Sequence, residues 1–252
     1  MDFTLKIYQH LLKTLTLEGY SFITFEDYCE GKIPDKYVIL RHDIDRLPDN
    51  ALIIAKIDFK CGVQSSFYFR SSKSIFKKDI IVQLHNFSHE VGYHYRDLVE
   101  SKNNPKLAIE SFKNSLKKFR ELVPVVTIAM DGSPLSKFDN RDLWKNYNYR
   151  DFGIIGEPYF DVNFDEVFYL TDTGRCWDGD KFSVRDKVKS SFTQSYHATS
   201  DIIFAAKNGT LPDKLMITTH PQRWTDNRAE WLLEWVMQNI KNVLKRIIYI
   251  NS

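Results

Sequence analysis

Long apolar runs are absent from this sequence: no stretch approaches 18 consecutive apolar residues, so no membrane-spanning helix is expected. An excess of one charge is also missing. Thirty-five Lys+Arg stand against 33 Asp+Glu, and a net charge of +2 supplies none of the broad basic field with which nucleic-acid binders gather phosphates. Cysteine is sparse: Cys29, Cys61 and Cys176 form an odd set with no short-range pairing pattern, which suits reduced thiols in buried or loop positions of a cytoplasmic protein. No Pro/Gly/Ser-rich linker, low-complexity tract or internal repeat interrupts the 252 residues, so residues 1–252 are expected to form one domain around one core. The first residues mix polar and apolar side chains at helical spacing instead of offering a continuous apolar stretch, so no secretory leader is expected, and a soluble intracellular protein is.

What is present is a large apolar fraction, 43%, with 18 Phe, 13 Tyr and 5 Trp, enough for a sizeable core with aromatics to spare. Phe3, Ile7, Leu11, Leu12 and Leu15 share one helical face, and Gly19 offers a stop. Residues 37–45 read as a buried strand ending in charge, followed by a helix over 48–60. Strands are expected at 65–70, 90–94, 125–129 and 214–220, and helices at 79–87, 105–121 and 229–248. Between Asp131 and Gly179 the rhythm loosens into an aromatic-rich stretch with short candidate strands at 152–155 and 167–170, read as long loops over a site. This alternation predicts an α/β fold with a parallel sheet, whose ligand site collects at the carboxyl ends of the strands.

Three of those ends carry chemistry. In Arg41-His42-Asp43-Ile44-Asp45, the period of a strand puts Arg41, Asp43 and Asp45 on one face. Two carboxylates so close need a cation or a shared proton, which points to a divalent metal with an acid/base partner. The blander alternative is that Asp45 caps the helix near Pro48 while Asp43 pairs with Arg41. His94 closes Glu90-Val-Gly-Tyr-His94, where Gly92 permits close backbone packing, and His220 closes Leu215-Met-Ile-Thr-Thr-His220 before Pro221 turns the chain away. Either histidine taken alone is equally a structural one.

Together these blocks resemble the polysaccharide deacetylase superfamily, carbohydrate esterase family four, across roughly residues 37–224. The resemblance implies a distorted (β/α) barrel of about seven strands. It also implies Asp43 as general base, Asp45 and His94 as metal ligands and His220 as the catalytic acid. Two departures stand out. Leu98 occupies the place of the family's second metal-binding histidine, leaving Asp131 or Asp97 as candidates to complete the shell, or a turn-forming Asp131 and a surface Asp97 as the plainer alternatives. The third motif's arginine, which orients the base, is replaced by Met130-Asp-Gly-Ser-Pro-Leu135.

From the resemblance follows the expectation of a zinc-dependent hydrolase that removes acetyl or a similar N-acyl group from an amino sugar, within the cytoplasmic assembly of a surface polysaccharide. Arg41, Arg70, Arg175, Trp177 and Trp224 are the expected sugar-gripping side chains, and Asp172-Thr-Gly-Arg-Cys-Trp177-Asp178 is expected to line the cleft. Two rival expectations remain open: a family member that binds carbohydrate without turning it over, and a same-fold hydrolase of a non-sugar amide.

Overall fold

The computed structural model describes residues 1–134, 136–178, 185 and 187–250. Leu135 and Gly179, which bound two of the segments above, lie outside the described residues. Seven parallel strands form one sheet: β1 (Ser21–Ile23), β2 (Tyr37–Ile44), β3 (Ser66–Phe69), β4 (Glu90–Tyr95), β5 (Ile128–Met130), β6 (Phe168–Thr171) and β7 (Lys214–Thr219). Their order is β5-β4-β3-β2-β7-β6. β1 lies beside the first half of β2, with Ser21 opposite Tyr37, and β3 takes over that edge at Arg41, opposite Ser66. The sheet curls into a half-barrel whose edge strands β5 and β6 do not pair among the described residues, in keeping with the distorted (β/α) barrel that the motifs imply.

Strand periodicity divides the buried side chains into two cores. The helices are α1 (Leu5–Leu17), α2 (Phe25–Cys29), α3 (Pro48–Lys60), α4 (Lys78–Asn86), α5 (Asp97–Glu100), α6 (Pro105–Arg120), α7 (Pro158–Asp161), α8 (Thr199–Lys207) and a last one, α9 (Arg228–Ile250). Val38, Leu40 and Ile44 of β2 point outward with Phe67, Phe69 and Ile217 against α1, α3 and α6. Tyr37 and Ile39 point into the lumen with Tyr68, Ala129 and Met216. A one-residue slip of β2 would move Arg41 and Asp43 to the helix side and turn its large aliphatics inward. At roughly 1.5–3 kcal/mol per fully buried aliphatic side chain, this pattern fixes which face holds the acids.

A second set of polar groups braces β2 from behind. His42, fully buried on the helix side, has Nδ1 2.6 Å from Thr219 Oγ1 of β7 and Nε2 3.0 Å from Asp58 of α3. Asp58 also accepts from Tyr8 of α1 at 2.6 Å and from Ser65 at 2.7 Å. One buried carboxylate therefore ties α1, α3, β2 and the start of β3 together, so the charged mouth stands on a rigid base.

Several elements differ from the expectations. Residues 149–152 form a 3-10 turn, and only Gly156 bridges to Thr127, because Arg120 and Arg150 draw the carbonyls of Phe152, Gly153 and Ile155 away from any ladder. The last helix, α9 (Arg228–Ile250), buries a polar side: Glu234, Gln238 and Asn242 face the protein, while Leu232, Leu233, Val236 and Ile240 are exposed. No helix among the described residues is long and apolar enough to cross a membrane.

Candidate active site

Six strand ends converge at one mouth, and each delivers a charged or titratable side chain. β2 supplies Asp43 and Asp45. Arg70 follows β3, His94 lies in the last turn of β4, Asp131 follows β5, Asp172 follows β6 and His220 follows β7. A parallel sheet aims all its carboxyl ends in the same direction, so these residues meet although they span 177 positions of sequence, the separation that also parts His42 from Thr219.

Asp43 is gripped by Arg41 two positions earlier on the same face. Nε donates to Oδ1 at 2.7 Å and Nη2 to Oδ2 at 2.8 Å, a two-point fork that fixes the carboxylate plane. Arg41 is 0% exposed and lies between the rings of Tyr68 and Tyr159. Burial alone would push the Asp43 carboxyl up, but Arg41, then His94 and His220, outweigh it and hold the group below the ordinary range, ionised and ready to accept a proton. Half of the blander reading is thus present, since Asp43 does pair with Arg41. The other half is not: the helix after Asp45 begins at Leu47 with no side-chain cap.

Asp45, His94 and Asp131 each offer a ligand atom, all within 4.8 Å of one another. The chemistry of this set fits a divalent ion. His94 Nδ1 lies 3.0 Å from the Ala129 carbonyl, which can only accept, so Nδ1 carries the hydrogen and the Nε2 lone pair faces the two acids, 3.6 Å from Asp45 Oδ1. Asp131 is oriented by Ser133, whose backbone N–H and hydroxyl both donate to Oδ1 at 2.8 Å, leaving Oδ2 for the cluster. Burial would lower the affinity of His94 for a proton, yet Asp43, Asp45 and Asp131 raise it above the ordinary value. The cluster therefore attracts positive charge, and Arg70 supplies some: Nη2 sits 2.5 Å from Asp45 Oδ1 and Nε 2.5 Å from Asp131 Oδ2.

Opposite Asp43, His220 presents Nε2 to the mouth, 3.8 Å from Asp45 Oδ2, while Nδ1 is held by Asp172 Oδ1 at 2.6 Å. Asp172 is fully buried and receives three further bonds, from the His220 backbone N–H at 3.0 Å, from Trp224 Nε1 at 2.8 Å and from Arg223. Burial pushes its carboxyl up, but Arg223 and His220 overcompensate and bring it down to about 2. Asp172 is thus a permanent anion that sets the tautomer and tilt of His220.

The remaining candidates lie elsewhere. Arg41 is sealed beneath Asp43 and clamps it. Trp177 and Trp224 are buried against each other and Phe3, and their N–H groups go to Thr199 and Asp172. Arg175 covers the rings of Phe3 and Trp231. Of the segment 172–178, Asp172 alone reaches the strand-end cluster; Thr173, Cys176 and Trp177 are buried, and Asp178 pairs with His197. Leu98 is buried on the helix side, and Asp97 accepts from Tyr93 at 2.8 Å and Ser111 at 2.7 Å, turned away from the cluster. Sequence reasoning gave no role to Arg223 and only a lining role to Asp172; the available signal was that each stands within four residues of a strand end. A cavity of about 300 Å³ beside β6, lined among others by Phe168, Trp177 and Tyr196, contains none of the strand-end charges.

No family model and no curated protein matches the chain. Among solved structures, six that match at 12–14% identity are CE4-family esterases or pseudoenzymes. A Streptococcus mutans CE4 esterase is 12% identical over 90% of this chain and 89% of its own, with a TM-score of 0.47. The peptidoglycan deacetylase PdaC from Bacillus subtilis, as a D285S mutant, is 13% identical over 84% and 96%, at 0.39. The Bacillus anthracis protein BA3943, a CE4 family pseudoenzyme, is 14% identical over 81% of this chain and 60% of its own, at 0.42; the chain thus spans about three-fifths of that protein's length.

Proposed function

We propose that this chain is a metal-dependent hydrolase that removes an N-acyl group, acetyl first among them, from an amino sugar or glycan precursor. The observation that carries the reading is the juxtaposition of three prepared units. These are a carboxylate fixed by Arg41, an Asp45–His94–Asp131 ligand set, and an imidazole fixed by Asp172. The sugar and the acetyl group come from the Arg-His-Asp-x-Asp resemblance; the proposed setting is cytoplasmic assembly of a surface polysaccharide.

Asp45, His94 and Asp131 would hold a divalent ion, which would supply Lewis acidity toward the acyl carbonyl and the attacking water. Two carboxylates and one imidazole with an open position suit zinc. Asp43 takes the proton from the attacking water, whose oxygen bonds to the acyl carbon. Arg41 keeps the Asp43 lone pair aimed at that water throughout. His220, protonated at Nε2, gives its proton to the sugar nitrogen as the C–N bond breaks, and Asp172 stabilises the imidazolium until then.

The test is acetate release from N-acetylated amino sugars by chelator-treated protein, with and without added Zn2+. Release that depends on metal and is lost in Asp43→Asn is expected; release indifferent to metal, or absent with every ion tried, overturns the reading. A second reading, carbohydrate binding without turnover, is favoured by the position of Arg70 across Asp45 and Asp131. Glycan binding with no acetate release by metal-loaded protein would select it.

A further inference from the structure

We propose that Arg70 is a built-in counter-cation for the ligand acids, one that competes with a divalent ion for Asp45 and Asp131 and withdraws when the ion binds. The inference rests on the metal reading above and concerns what the cluster does with its own charge. Asp43, Asp45 and Asp131 bring three carboxylates to one mouth, and Arg41 is committed to Asp43. Arg96 Nη1 lies 3.8 Å from Asp131 Oδ2, but Arg70 is the cation in direct contact with both Asp45 and Asp131 in this largely buried site.

The guanidinium of Arg70 meets that need in a particular way. Its Nη2 holds Asp45 Oδ1, the oxygen that also lies 3.6 Å from His94 Nε2, and its Nε holds Asp131 Oδ2, the oxygen that Ser133 leaves open. Those are the lone pairs an ion shared with His94 would use. Nη1 donates to the Asp45 carbonyl at 3.2 Å, so Arg70 reaches both acidic residues at once. Its side chain is 20% exposed, so one edge already touches solvent, and the flexible arginine stem allows the head to swing outward. A guanidinium and a divalent ion in contact with the same two carboxylates repel each other; the ion's charge and the released carboxylates together drive the exchange.

The experiment compares wild type, Arg70→Gln and Arg70→Lys, each stripped of metal, by Zn2+ titration against a chromophoric chelator and by thermal unfolding. Arg70→Gln is expected to bind Zn2+ at least about tenfold more tightly than wild type, and Arg70→Lys, which keeps the charge, to stay within about threefold. Stripped Arg70→Gln should melt below stripped wild type and gain more on adding Zn2+, a crossing that a merely structural arginine does not produce. Unchanged or weaker Zn2+ binding by Arg70→Gln, with wild type binding, overturns the inference and leaves the metal reading standing. Failure of both proteins to bind Zn2+, Mn2+, Co2+ or Ni2+ overturns the metal reading and this inference with it. Should Arg70→Gln not fold, the wild type carries its own readout. The 15N–1H Nε resonance of Arg70 should shift as Zn2+ saturates the site, and a signal unmoved at saturation refutes the exchange.

Discussion

Replacing Asp172 by asparagine separates charge from shape at the His220 side of the mouth. The carboxylate accepts four bonds, from His220 Nδ1, the His220 backbone N–H, Trp224 Nε1 and Arg223, two on each oxygen. Whichever way an amide is turned, its NH2 faces two donors, and Arg223, buried beside it, loses its counter-charge. With a native value of about 2 against an ordinary 3.8, Asp172 contributes stability above pH 4 that disappears as the pH falls toward 2, because the folded state holds the proton less tightly than the unfolded one. That linkage amounts to about 2 kcal/mol, and with the stranded Arg223 the expected loss in Asp172→Asn at pH 7 is about 3–5 kcal/mol. Urea unfolding of both proteins between pH 2 and pH 7 should show the gap closing in acid. In acetate-release assays kcat should fall by about 10²–10⁴ while KM changes little, since His220 then lacks the partner that fixes its tautomer. A gap that stays constant with pH would refute the electrostatic account of Asp172. An unchanged kcat would refute His220 as the proton donor.

Trp224→Phe removes one of those four donors and leaves the charge pair; a kcat loss smaller than that of Asp172→Asn, on the order of tenfold, is expected in the same assay. Asp97 should show the opposite pH dependence: burial raises its carboxyl to about 6 despite bonds from Ser111 and Tyr93, so its contribution is full below pH 4 and lost as the pH rises through 6. Both hydroxyls can reverse to accept from an amide, so Asp97→Asn should match wild type near pH 4 and exceed it by about 2–3 kcal/mol at pH 7.5 in urea melts; equal stability at both pH values would contradict this. Gly92→Ala places a Cβ 2.2 Å from the fully buried Tyr68 ring and 3.1 Å from the Thr127 carbonyl, and should cost about 1–3 kcal/mol by thermal unfolding.

How far the sequence could be read follows from the range of its signals. Asp43 and Asp45 sit on a strand whose hydrophobic run is continuous, Tyr37 to Leu40, and whose period assigns faces without tertiary information. His94 and His220 end similar runs. Asp97 and Asp131 are different: both are single acids near strand ends, and only the register of β4 against β5, His94 opposite Ala129, puts Asp131 two positions beyond the histidine's neighbour and within the cluster. Asp97 is drawn away by Tyr93 and Ser111, partners that no local pattern announces. The strand β1 was hidden because three residues, Ser21–Ile23, are too few to display a period.

Arg41 illustrates why a missing motif need not mean a missing task. The base needs a guanidinium in the plane of its carboxylate, and the geometry of a strand brings residue i to the same face as i+2, near enough for a two-point fork once the arginine is buried between Tyr68 and Tyr159. An arginine at that position carries its task within the first motif itself, and the segment after β5 is then free to offer an acid. Under the proposed reading, Arg41 orients the base from within β2 and Asp131 serves as a ligand, while the side chain of Leu98 lies in the helix-side core. Asp131 brings a further negative charge to the mouth, and Arg70, bridging Asp45 and Asp131, balances it, with Arg96 Nη1 3.8 Å from the same Asp131 oxygen.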